Sequence, residues 1–71
     1  MAEDIRTRFG WRLRKLRKQR GWTQVQIAER LSLDRSYLAA AERGKRNISI
    51  VNLEIIAKGF GISLSELLSR V

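Results

Sequence analysis

A chain of 71 residues with neither Cys nor His has no disulfide staple, no thiol or imidazole chemistry and none of the usual zinc ligand sets, and it implies no cofactor. Its 15 Lys and Arg against 7 Asp and Glu give a net charge of +8, which suits a polyanionic partner. The length predicts one domain over residues 1–71, and the lack of any apolar run near the ~18 residues of a membrane span, or of a signal-peptide apolar region, predicts a cytoplasmic protein without a membrane partner.

The first helix is expected over about Asp4 to Gln19, where Ile5, Phe9, Leu13 and Leu16 recur on one face and should enter the core. Glu3 and Asp4 at its start and Lys18 and Arg20 at its end match the helix dipole, and Gly21 stops it. Trp11 lies off the apolar stripe and admits two roles, a surface aromatic or a cover for a neighbouring helix. Charge concentrates here: residues 1–22 hold eight basic and two acidic side chains, whereas residues 23–44 hold three of each.

Thr23 to Gly44 reads as two short helices joined by a tight turn, a helix-turn-helix. Thr23 and Gln26 form a capping box, and Trp22 and Ile27 occupy the hydrophobic-staple positions. A second start follows at Asp34, whose carboxylate can cap the N–H groups of residues 36 and 37, with Leu33 and Leu38 repeating the staple. Only Ser32 and Leu33 separate the helices, so they must cross steeply, and Gly44 supplies a left-handed C′ residue. Arg35 and Ser36 face outward, followed by Ala39, Ala40 and Ala41. A thin helix with a polar N-terminal face suits entry into a DNA major groove. Ala41, on the Leu38 face, belongs to the core; Ala39 and Ala40 do not.

Lys45, Arg46 and Asn47 form a polar loop placed to grip phosphates, although an ordinary solvated turn has the same composition. Ser49 caps a fourth helix over about Ile50 to Phe60, stapled by Ile48 and Leu53 and ended by Gly61. Leu53, Ile56, Ala57 and Phe60 should face the core. Val51 and Ile55 point almost opposite, which predicts a symmetric homodimer on this helix, with Gly59 allowing close backbone approach and Leu68 and Val71 contributing. The alternative is that the fifth helix or Trp11 covers them within one chain. Ser63 caps that fifth helix, Glu66 completes a capping box, and Ile62 and Leu67 staple it. The expected fold is all-α: a compact five-helix DNA-binding domain.

Gly21-Trp22-Thr23-Gln24, Ile27-Ala28, Leu38, Glu42-Arg43-Gly44 and Arg46-Asn47 resemble the signature of the phage-repressor-like (XRE) helix-turn-helix regulators. Leu33 to Leu38, with Glu42-Arg43-Gly44 and Arg46 to Ser49, also resembles the controller proteins of bacterial restriction-modification systems. The resemblance implies a lambda-repressor-like fold and an internal ion pair between Arg17 and Glu42. It further implies base reading by Arg35, Ser36 and Ala40, and backbone contacts from Gln24, Arg43, Lys45, Arg46 and Asn47. Tyr37 is open between phosphate contact and packing.

The function expected is that of a transcriptional regulator binding a palindromic operator in double-stranded DNA as a homodimer, with RNA polymerase as a further possible partner and no small-molecule ligand. An antitoxin or a phage-type repressor would share these features. A pure adaptor fits the basic face poorly. An enzyme is not expected: there is no phosphate-cradling Gly-rich loop and no carboxylate pair brought together by spacing.

Overall fold

The computed structural model describes residues 3–71 and contains five helices: α1 (Ile5–Gln19), α2 (Gln24–Leu31), α3 (Arg35–Glu42), α4 (Ile50–Phe60) and α5 (Leu64–Leu67). Each begins at a side-chain cap. The Asp4 carboxylate accepts from Arg6 N–H, so Asp4 is the cap and α1 starts at Ile5, one residue after the expected start near Asp4. Thr23 and Gln26 make the reciprocal capping box of α2, Asp34 caps α3 through Ser36 N–H, and Ser49 caps α4 through Asn52 N–H. At α5 the box is half made: Ser63 Oγ accepts from Glu66 N–H, but Glu66 does not return the bond to Ser63. A helix of one turn leaves that carboxylate free in solvent.

The first four helices end alike. A left-handed residue, Gly21, Ser32, Gly44 or Gly61, lets the next N–H reach back to the carbonyls of Arg17, Ala28, Ala40 and Ala57, respectively. Ser32 is the exception in kind, a non-glycine residue at φ 55 inside the turn between α2 and α3. It is the cost of a turn this short.

The core gathers Phe9, Leu13 and Leu16 from α1, Ile27, Ala28 and Leu31 from α2, Leu38 and Ala41 from α3, Ile56, Ala57 and Phe60 from α4, and Leu67 from α5. Among the described residues no polar or charged one is buried. α1 packs against α3, α2 touches both α3 and α4, and α5 lies on α4. Two arginines, Arg12 from the middle of α1 and Arg20 at its C-cap, tie this together. Arg12 donates to the carbonyls of Glu66 (2.8 Å) and Leu67 (3.1 Å), and Arg20 donates to the Phe60 carbonyl (2.7 Å). Arg20 also lies over Trp22 and Phe60, whose rings stack at 5.4 Å, and Arg30 covers Trp22.

The expectations for Ile5, Ile55, Val71 and Gly59 are corrected, and of the two roles open to Trp11 the structure shows the surface one. Ile5 is 59% exposed rather than core, because the first turn of α1 extends past the neighbouring helices that cover Phe9. Ile55 packs, half-buried, against its own core, as does Val71. Gly59 serves an internal contact: a Cβ there would strike the Leu31 side chain, so the close approach it permits is between α4 and α2. Trp11 stands on the surface, 57% exposed.

Where α1 crosses α3, a Cβ on Gly10 would lie 2.5 Å from the Glu42 carbonyl oxygen and 2.7 Å from that of Ala41. These are backbone atoms and cannot swing aside. Alanine normally gains about 1 kcal/mol over glycine in a helix, and at Gly59, where the obstacle is a flexible leucine end, that gain should offset most of the crowding. Gly10→Ala should instead lower stability by about 1–3 kcal/mol. Chemical denaturation of the two variants checks this; equal stabilities would contradict the contact.

Candidate nucleic-acid interface

The C-terminal end of α3 is held by a bidentate pair. Arg17 Nε donates to Glu42 Oε2 at 2.6 Å and Nη2 to Oε1 at 2.9 Å, with side-chain exposures of 12% and 6%. Arg17 Nη1 donates to the Trp22 carbonyl at 2.9 Å, so the same guanidinium also fixes the entry to α2. The bond to Glu42 holds Arg17 above its already high ordinary pKa, against the opposing pull of burial. A glutamate at the negative end of a helix dipole is unfavourable alone; the arginine reverses that.

Gln24 belongs to this cluster. Its Nε2 donates to Glu42 Oε1 at 3.2 Å, which ties its amide to the ion pair at the edge of the recess. With Arg14, Ala39 and Arg43, the three residues line a recess of about 280 Å³ along the α1 side of α3. Arg14 is a site residue that the motifs do not mark; its one signal is position, three residues before Arg17 and one turn up the same side of α1.

The other flank of α3 carries a second recess, about 430 Å³, lined by Leu33, Asp34, Ser36, Tyr37, Ala40, Arg46 and Asn52. Between the two recesses runs a ridge on which Arg35, Ser36 and Arg43 stand out, with Ala39 and Ala40 half-exposed. The Ser36 hydroxyl donates to the Asp34 carboxylate, leaving its lone pairs outward as acceptors. That bond, with the N–H groups of Ser36 and Tyr37, holds the Asp34 carboxyl below the usual range.

Lys45, Arg46 and Asn47 are exposed beside this ridge. The Arg46 guanidinium lies 4.7 Å from the centre of the Tyr37 ring, and the Tyr37 hydroxyl accepts from Asn52 Nδ2 at 2.9 Å. Asn47 Oδ1 accepts from Arg6 Nη1 at 3.5 Å, which links the loop to the start of α1. Gly44 makes this possible. At φ 73, with Thr7 Cα 2.8 Å from where a Cβ would be, it leaves space only for glycine. Arg6 and Asn52 escape a reading of the sequence. The link from Arg6 to Asn47 and that from Asn52 to Tyr37 carry no local signal, since each spans at least fifteen positions.

A cation-flanked ridge with a capped, polar first turn on the second helix of a helix-turn-helix defines a DNA-reading element. Residues 13–67 match the helix-turn-helix family, and the chain belongs to its phage-repressor-like (XRE) branch of DNA-binding transcriptional regulators. Within it, the chain is similar to control protein C.MunI of a Mycoplasma species, at 51% identity over 69 residues, covering 96% of this chain and 93% of that protein. The crystal structure of the restriction-modification controller protein C.AhdI from Aeromonas hydrophila superposes with a TM-score of 0.85 at 43% identity, covering 89% of this chain and 96% of that one. The controller protein C.Esp1396I, solved as a tetramer on its natural 35-base-pair operator, superposes at 0.82 with 32% identity over 96% of this chain and 93% of that one.

If the Arg17–Glu42 pair couples the helices, Glu42→Ala should cost about 3 kcal/mol by stranding a desolvated guanidinium, and Arg17→Ala a similar amount. The double variant should cost much less than the sum. Thermal denaturation of the three proteins measures the coupling energy, and additive losses would refute it.

Proposed function

We propose that the chain is a controller-type transcriptional regulator that binds a two-fold symmetric operator as a homodimer. The observation that carries the DNA contact is the exposed Arg35–Ser36 turn at the start of α3, on a helix followed directly by exposed Arg43 and the exposed Lys45–Arg46 loop. Arg35 presents a bidentate donor suited to guanine O6 and N7. Ser36, its proton given to Asp34, offers an acceptor to the amino group of adenine or cytosine, and Ala40 can meet a thymine methyl. Arg43, Lys45, Arg46 and Asn47 take backbone positions, with Arg14 added to them. Gln24 supports the site through Glu42.

The dimer reading rests on apolar surface at one end of the molecule. Ile50 (71%) and Val51 (64%) are exposed at the first turn of α4. Exposed Ile5 and Leu68 line an apolar groove of about 160 Å³ floored by Phe9, Ile48, Leu53 and Val71. A face of this kind is self-complementary under two-fold symmetry, and two recognition helices about 34 Å apart would read successive major grooves. Regulation then follows from occupancy: concentration sets the dimer population, the dimer covers the operator, and beside a promoter it either blocks or touches RNA polymerase.

Two outcomes test this. On duplexes selected from a randomised DNA pool, Arg35→Ala should lose about 1–3 kcal/mol and relax preference at one base, whereas Lys45→Ala should weaken all sequences and flatten the salt dependence. An unchanged base preference in Arg35→Ala would contradict the assignment. In sedimentation equilibrium at micromolar concentration, the wild type should be dimeric and Ile50→Glu/Val51→Glu monomeric with helicity retained; a double variant that still dimerises would place the interface elsewhere.

A further inference from the structure

We propose that Asn52 is a positioning residue that, by donating to the Tyr37 hydroxyl, turns the hydroxyl proton toward an acceptor on DNA. This rests on the DNA-binding reading above and adds to it a specificity device outside the helix-turn-helix.

A phenolic hydroxyl carries one donor and two acceptor sites, so by itself it takes either polarity. Here the Asn52 amide donates to Tyr37 Oη at 2.9 Å, which occupies a lone pair and leaves the proton to point elsewhere. Among the described residues no acceptor takes that proton. The hydroxyl lies at the recess on the α4 flank of α3, beside the ridge carrying Ser36 and Ala40. Arg46 over the ring holds it against this wall and contributes a cation at the same mouth. A group entering the recess therefore meets a hydroxyl donor and a guanidinium, a combination that selects an acceptor atom. On duplex DNA that is a phosphate oxygen or the acceptor edge of a base, guanine N7 or O6 or thymine O4. Ser36, with the opposite polarity, faces the same recess. The recognition surface thus has an acceptor from α3 and a donor whose direction is set by α4.

Asn52→Asp tests this with little change of shape. A carboxylate only accepts, so it would take the Tyr37 proton and reverse the hydroxyl, while also adding a negative charge near DNA. The charge is subtracted by repeating the substitution in a Tyr37→Phe background. On a duplex selected from a randomised pool, Tyr37→Phe should weaken binding roughly threefold to tenfold, the scale of one hydrogen bond. Asn52→Asp should weaken it further with Tyr37 present than in the Tyr37→Phe background, and the melting temperature should stay within the range of surface substitutions. A loss in Tyr37→Phe confined to one base position assigns the acceptor to a base, and a uniform loss assigns it to phosphate; either supports the role. Equal effects of Asn52→Asp in the two backgrounds would overturn it. Should Arg35→Ala also leave binding unchanged, the DNA face itself, rather than Asn52, would be misplaced.

Discussion

The fold hangs on the Arg17–Glu42 pair, because it joins the three helices that present the recognition surface. Arg17 belongs to α1, Glu42 ends α3, and the third guanidinium nitrogen holds the Trp22 carbonyl just before α2. Gln24 completes the set from the first turn of α2. With a twelve-residue apolar core, orientation between short helices is weakly specified by burial alone. A rigid bidentate fork specifies it. Next to the pair, Gly10 lets α1 approach the end of α3 until backbone meets backbone. These two contacts, one polar and one steric, fix the angle at which α3 is offered to a partner.

They also change what the net charge means. Most of the excess positive charge lies in residues 1–22, yet Arg12 and Arg20 cap carbonyls of α5 and α4, Arg17 is paired, Arg6 is bound to Asp4 and Asn47, and Arg8 donates to the Glu3 carbonyl. Of the eight cations in this segment, these five make contacts within the chain. Arg12 and Arg20 sit at helix C-termini, where cations are favoured and carbonyls lack partners. The cations lining the recesses on either side of α3 are Arg14 from α1 and Arg43 and Arg46 from the segment after α3, and on the proposed reading it is this local grouping rather than the total of +8 that would mark the interface.

The legibility of the chain divides along the same line. All five helices, their N-caps and the glycine stops of α1, α3 and α4 are readable, because capping is decided within four residues and apolar periodicity within one helix; the left-handed Ser32 that ends α2 and the half-made box at Glu66 are not. Ile5 misleads because periodicity shows which face of a helix is apolar, not how far along the helix its neighbours reach. Gly59 and Ile55 mislead because a second apolar face on α4 looks the same whether it meets a partner or another helix of its own chain; Leu31 and the core take part of it. At the site, Arg35, Ser36 and the basic loop are visible as local chemistry. The tie of Gln24 to Glu42 and the roles of Arg6, Arg14 and Asn52 depend on contacts between segments, and no local spacing encodes those.

On the dimer reading, the first turn of α4 has two duties that a shared backbone makes inseparable. Ile50 and Val51 face outward where a second copy would sit, and the next residue, Asn52, faces back to hold Tyr37 on α3. Arg46 bridges the same gap on the loop side, lining both the apolar groove and the recess beside the recognition helix. Successive residues of a helix point about 100° apart, so a rotation of this turn that improves packing at Val51 must swing Asn52 relative to Tyr37. On that reading, association and DNA contact would not be independent modules. The coupling through one helical turn gives dimerisation itself a route to the DNA face, so the second copy would act on the first not only by adding a half-site but by setting how firmly Tyr37 is held.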